Sequence, residues 1–150
     1  MRITTRLLLA CGLLWTALAT TAGAAEGEQI NVRAILVSAS REPGETDRSL
    51  SRYESTLRRI LRFETFKQLG SGRGKADVPG KGSIAVGQGQ SLHFTTDTSR
   101  DNRLRVQLDW RGGSRSLMRT GVVLRPGVPA VLGGPSREDG SVYALIVVAE

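Results

Sequence analysis

Once an apolar run at the amino terminus is set aside, only residues 47–62 (DRSLSRYESTLRRILR) carry apolar side chains at helical spacing. Leu50, Tyr53, Leu57, Ile60 and Leu61 fall on one stripe of such a helix. A helix this short is marginal on its own and needs a surface to dock against. Everything after it reads as short strands and turns, whose sheet needs a cover on one face. The expected class is therefore α+β: one amphipathic helix packed on a twisted, mainly antiparallel sheet or small β-sandwich. Asp47 stands where an N-cap would accept from the free amides of the first turn, and Leu50 takes the place a capping box gives to Glu or Gln. The opposite side carries Arg48, Arg52, Arg59 and Arg62, with Glu54 and Arg58 spaced as an i,i+4 pair. Such a strip is either a solvated face or a docking site for an acidic partner.

Residues 1–24 have the three parts of a secretory leader. Arg2 and Arg6 start it, residues 7–19 form the apolar run, and Ala22-Gly23-Ala24 supplies a small-residue cleavage site. The run is too short and too broken by Thr to span a membrane stably. Cleavage would leave one domain, residues 25–150, periplasmic or secreted, without an integral span. The leader takes two arginines with it, which lowers the net charge from +7 to +5. Cys11, the single cysteine, lies inside the apolar run, so the mature chain has no thiol for disulfides, metal binding or nucleophilic chemistry.

Residues 30–37 (INVRAILV) read as a first strand, alternating at first and apolar on both sides at its end. Residues 103–111 (RLRVQLDWR) are the cleanest strand of the chain, with Leu104, Val106, Leu108 and Trp110 on one face and polar side chains on the other. Further strands are expected over residues 63–69, 91–96, 114–124 and 128–132. Residues 141–149 (SVYALIVVA) read as a central or covered strand, and turns are expected at residues 97–102, at Gly112-Gly113 and over 133–140. Residues 70–90 (GSGRGKADVPGKGSIAVGQGQ) invite a phosphate-loop reading, which fails: Gly74-Lys75 is followed by Ala76, and no helical pattern comes next. The stretch reads as turns between short strands, with glycine supplying positive φ angles.

No constellation of catalytic residues stands out, so the enzyme question stays open with a non-catalytic reading preferred. His93 is the only histidine and sits on the outward side of a strand, without histidine or thiolate partners for a metal. Residues 112–116 (GGSRS) lack the last glycine of a nucleophile elbow. The acidic residues are scattered over turns and strand exteriors, so no cofactor or metal is expected. A pI of about 10.7 formally admits nucleic acid. The spread of the arginines, the core character of Trp110, Phe94 and Phe66, and export all argue against it.

From Thr120 to Val148 the chain runs TGVVLRPGVPAVLGGPSREDGSVYALIVV. The succession of Val122–Leu124, Pro126-Gly127, Val128–Leu132 and Gly133-Gly134 resembles the strand, turn, apolar strand and Gly-Gly step of bacterial secretin outer-membrane channels. The resemblance covers about a fifth of the chain, follows a β-hairpin pattern and carries over no functional residues. The whole layout also resembles small exported bacterial proteins, which implies no activity. Two functions are expected from these observations. One is an exported non-catalytic module that binds an envelope or secretion-apparatus protein, or an anionic envelope surface, through Arg48, Arg52, Arg59 and Arg62. The other is a small-ligand or polysaccharide binder, or a hydrolase, with its site in the glycine-rich loops.

Overall fold

The computed structural model describes residues 27–150. The expected leader, its cleavage site and Cys11 lie outside the described residues. Eight strands follow one another: β1 (Glu28–Ser40), β2 (Thr65–Val78), β3 (Gly80–Gly87), β4 (Gln90–Arg100), β5 (Arg103–Gly112), β6 (Arg115–Leu124), β7 (Ala130–Ser136) and β8 (Val142–Ala149). They form two four-stranded antiparallel sheets, ordered β2-β1-β8-β7 and β3-β4-β5-β6. Between β1 and β2 lie one turn of 3-10 helix, Arg48–Leu50, and the helix α1 (Glu54–Leu61).

Alternation along the strands builds the interior. Val32, Ala34 and Leu36 of β1, with Leu145 and Val147 of β8, face Ile84, Val86, Leu92, Phe94, Val106, Leu108 and Trp110 of the second sheet. Trp110 is fully buried, and its indole N–H donates to Gln90 Oε1 at 2.8 Å, which satisfies the one polar atom of the ring. The other faces of β1 and β8 are apolar too. Ile35, Val37, Ala39, Ala144, Ile146 and Val148 form a second buried cluster outside the sandwich, closed by Leu50, Tyr53, Leu57 and Phe66. Each large apolar side chain so buried contributes about 1.5–3 kcal/mol, enough for three anchors to hold an otherwise marginal helix.

This architecture corrects the α+β expectation: the fold is essentially all-β, and its helix is a short cover on the outside of one sheet. The single helix expected over 47–62 is interrupted at Ser51-Arg52-Tyr53, so only Glu54–Leu61 is α-helical. Asp47 does not cap it. Its Oδ2 accepts instead from the Gln68 amide of β2 at 2.8 Å, and Lys67 Nζ lies 3.5 Å from Oδ1. Ile60, expected in the apolar stripe, is 48% exposed. The expected turn at 97–102 shrinks to Asp101-Asn102, both with positive φ, and β7 extends to Ser136 into the expected loop.

The glycine-rich stretch is the largest correction. It forms β2 and β3, and Gly70, Gly72 and Gly74 alternate along the inward face of β2, paired with Leu36, Ala34 and Val32 of β1. None of the three has a positive φ. A side chain there would run into the β3 backbone: a Cβ on Gly74 would lie 3.0 Å from Ser83 O and 2.8 Å from Ile84 Cγ1, and one on Gly72 would strike Ala85 O. The glycines are present because two sheets close on each other along this edge with no room for side chains. Gly72→Ala is expected to cost about 1–3 kcal/mol through overpacking, read as a lower melting temperature. Gly133→Ala, where the new Cβ meets only Leu61 at 3.5 Å, serves as the control. Equal melting of the two variants would contradict this account of the closure.

Candidate carboxylate-binding cleft

The outward positions of β1, read back from Ala39, are Val37, Ile35, Arg33 and Asn31; those of β8 are Ala144, Ile146 and Val148, with Glu150 just beyond the strand. The apolar run on both strands therefore stops at the same level. Arg33 pairs in register with Val148 on one side and with Arg73 of β2 on the other. The Glu150 amide donates to Asn31 O at 2.8 Å, which brings its side chain back over Arg33. Arg33 Nη2 lies 2.7 Å from Glu150 Oε1, and Arg73 Nε is 3.8 Å from Oε2. Arg33 Nε is buried and has no hydrogen-bond partner.

Above this row the chain returns from the 3-10 turn. A cleft of about 510 Å³ opens between Ser49, Arg52 and Tyr53 on one wall and Arg33, Gln68, Ser71 and Arg73 on the other. The Arg52 guanidinium lies over the Tyr53 ring, 5.8 Å from its centroid. Tyr53 is itself buried in the outer cluster, so the residue carrying this ridge is anchored. Three arginines and the amide and hydroxyl groups of Gln68, Ser49 and Ser71 therefore converge on one hollow, with Glu150 the carboxylate that meets two of them. Guanidinium forks suit carboxylates or phosphates, and two of these arginines pair with the Glu150 carboxylate beside the cleft.

Arg48, Arg52, Arg59 and Arg62 are all exposed, and none forms an ion pair with another described residue. They do not share one helix. Arg48 belongs to the 3-10 turn, Arg52 to the interruption, Arg59 to α1, and Arg62 follows α1 with φ 55°. Only Arg52 lines this cleft. Glu54 and Arg58 do pair, at 3.0 Å, and Arg58 also reaches Glu64 at 3.2 Å. The sequence reading missed Arg33 and Arg73. Arg33 stands among apolar neighbours, and Arg73 sits in a stretch read as loop; the outward register of two paired strands is the signal that joins them.

On the outer face of the second sheet, His93 of β4 is the register partner of Asp109 of β5, and Ser91 Oγ lies 3.3 Å from His93 Nε2. The acid does not complete a triad. Asp109 Oδ1 accepts from Ser116 at 2.6 Å and Oδ2 from Arg111 at 2.7 Å, with Arg119 3.5 Å away. Residues 112–116, weighed as a nucleophile elbow, form a hairpin around Gly113-Ser114. Among the described residues no three His, Cys, Asp or Glu side chains gather as a metal site, and no helix is long and apolar enough to cross a membrane. Comparison with protein-family models, with curated proteins and with solved structures finds no match.

The Ser116 hydroxyl, then Arg111, hold the Asp109 carboxyl below its ordinary range. The folded chain thus binds this proton less readily than the unfolded one. The interaction stabilises the fold at neutral pH, and its contribution fades as pH falls below about 4. Asp109→Asn should therefore lower the melting temperature at neutral pH, with the deficit shrinking on acidification. A deficit of the same size at both ends of the titration would contradict this origin.

Proposed function

We propose that this chain is an exported, non-catalytic binding module that docks a carboxylate-bearing partner, an envelope or secretion-apparatus protein, at the cleft around Arg33, Arg52 and Arg73. The carrying observation is the Glu150 side chain seated on Arg33 while the adjacent Arg33 Nε has no partner. A partner carboxylate that displaces Glu150 from Arg33 would bring its second oxygen to this Nε donor. The donor is already desolvated, so binding forms a hydrogen bond without stripping it of water. Arg48 lies close by in the chain and extends the positive field toward an approaching acidic surface; Arg59 and Arg62 do so from the far end of α1. The secretion-apparatus side of this reading rests on the resemblance of residues 120–148 to secretin strands. An anionic envelope surface is the competing partner.

A polysaccharide or small-ligand site in glycine-rich loops has less to stand on, because most of those glycines lie in β2 and β3, and Gly70, Gly72 and Gly74 face the β3 backbone. Gly89 alone lies in the β3–β4 turn. The contact between Ser91 and His93 is the one observation favouring a hydrolase, and Asp109 is engaged elsewhere.

The test is cross-linking in cells of the tagged protein against its Arg52→Glu, Arg73→Glu double variant. Each charge-assisted hydrogen bond is worth about 1.5–3 kcal/mol, so reversal of two arginines should reduce capture by roughly a hundredfold or more. Both side chains are exposed, so the melting temperature should hold. Capture of the same partner in undiminished amount by the double variant would contradict the proposal. Capture of phospholipid with no protein would transfer it to the envelope surface.

A further inference from the structure

A second arginine cluster lies on the other sheet, at the end of the sandwich where β8 finishes, on residues that do not line the first cleft. The β4–β5 hairpin turns through Asp101 and Asn102, with φ of 51° and 57°, which sets Arg100 and Arg103 opposite each other at its base. Arg105 follows on the outward face of β5, in register with Val123 of β6. After β6 the chain reverses, and the Val128 amide donates to Arg125 O at 3.0 Å. The Gly127 amide in the same turn donates to Ala149 O at 2.9 Å, which ties the turn to β8 and holds it in place. These segments enclose an open cleft of about 890 Å³ lined by Arg100, Arg103, Arg105 and Arg125, with Asp101 its only acid. None of the four arginines forms an ion pair with another described residue.

The cleft has a second property that a solvated basic surface lacks. Three large apolar side chains stand out as exposed among the described residues: Ile60, Val123 and Val128. Val123, at 55% exposure, and Val128, at 53%, both line this one cleft, with Pro129 and Ala130 beside them. An apolar floor ringed by unpaired guanidinium groups selects its occupant by two criteria at once. A phosphate or an acidic polysaccharide would use the arginines and leave the valines wet. A purely apolar ligand would leave four cations without a counter-charge. From this pairing we infer that the cleft between the β4–β5 hairpin and the β6–β7 turn is a binding site for an acidic peptide segment that also presents apolar side chains. Its acids meet Arg100, Arg103, Arg105 and Arg125, and its apolar side chains cover Val123 and Val128.

The probe is a short fluorescein-labelled peptide alternating glutamate with leucine, followed by fluorescence anisotropy, with an oligoglutamate of equal charge as comparison. The intact protein should bind the leucine-bearing peptide at least tenfold more tightly. Arg103→Glu with Arg105→Glu should weaken that binding at least tenfold with the melting temperature unchanged. Val123→Ser with Val128→Ser should bring the two peptides to equal affinity. Arg52→Glu with Arg73→Glu, at the other cleft, should change nothing. Equal affinity of the intact protein for both peptides, binding that survives the Arg103 and Arg105 reversals, or loss that follows only the Arg52 and Arg73 reversals would each overturn the inference, as would no binding at all.

Discussion

The pairing of β1 with β8 is the contact on which the other parts depend. From Val32 to Ala39 and from Ala149 back to Val142 the two strands lie antiparallel, and nearly every side chain on both of their faces is buried. Their inward side chains form one wall of the sandwich core. Their outward side chains create a second demand, since a two-sided apolar ribbon left bare on one side would expose Ile35, Val37 and Ile146 to water. The 3-10 turn and α1 meet that demand. The cover ends where the apolar outward positions end, and the next residues on that face are Arg33 and Glu150. The cleft is thus a consequence of where the apolar ribbon stops.

The two lateral sides of the sandwich are built differently. On one side β2 and β3 meet backbone to backbone along Gly70, Gly72 and Gly74, which removes the space where a ligand or a side chain would lodge. On the other side β6 and β7 are the last strands of their sheets and follow one another through the turn around Arg125–Val128. Glycine normally weakens a strand because it brings no side chain to the packing. Here the interior is supplied mainly from β1, β3, β4, β5 and β8, so β2 can give up side chains in exchange for closeness. Edge strands are commonly guarded by charge, and the arginines along β6 fit that role beside any part in binding.

Much of this was legible in the chain. Alternation in RLRVQLDWR and the continuous apolar run of SVYALIVVA identify β5 and a doubly covered β8, because each pattern reports burial directly. The apolar stripe of residues 47–62 likewise reports that the segment docks, through Leu50, Tyr53 and Leu57. It does not report the break at Ser51–Tyr53, because a 3-10 turn followed by a helix presents nearly the same spacing as one longer helix. Gly70, Gly72 and Gly74 also alternate with period two, yet glycine in a polar context resembles turn chemistry until the neighbouring β3 backbone is known. Arg33 and Arg73 are forty residues apart and share a site only because their strands pair in one particular register. The four arginines singled out first are near one another in the chain, which is a weaker relation than sharing a cleft.

The central claim is that the hollow beneath Arg52 recognises carboxylate, and the most direct measurement is an NMR titration of nitrogen-15-labelled protein with citrate. The account predicts that the Arg33 side-chain N–H and the Ser71 and Arg73 amides respond first and saturate together. The Glu150 amide should follow them as its side chain is displaced. Small shifts spread evenly over all arginines, or none at Arg33, would contradict it.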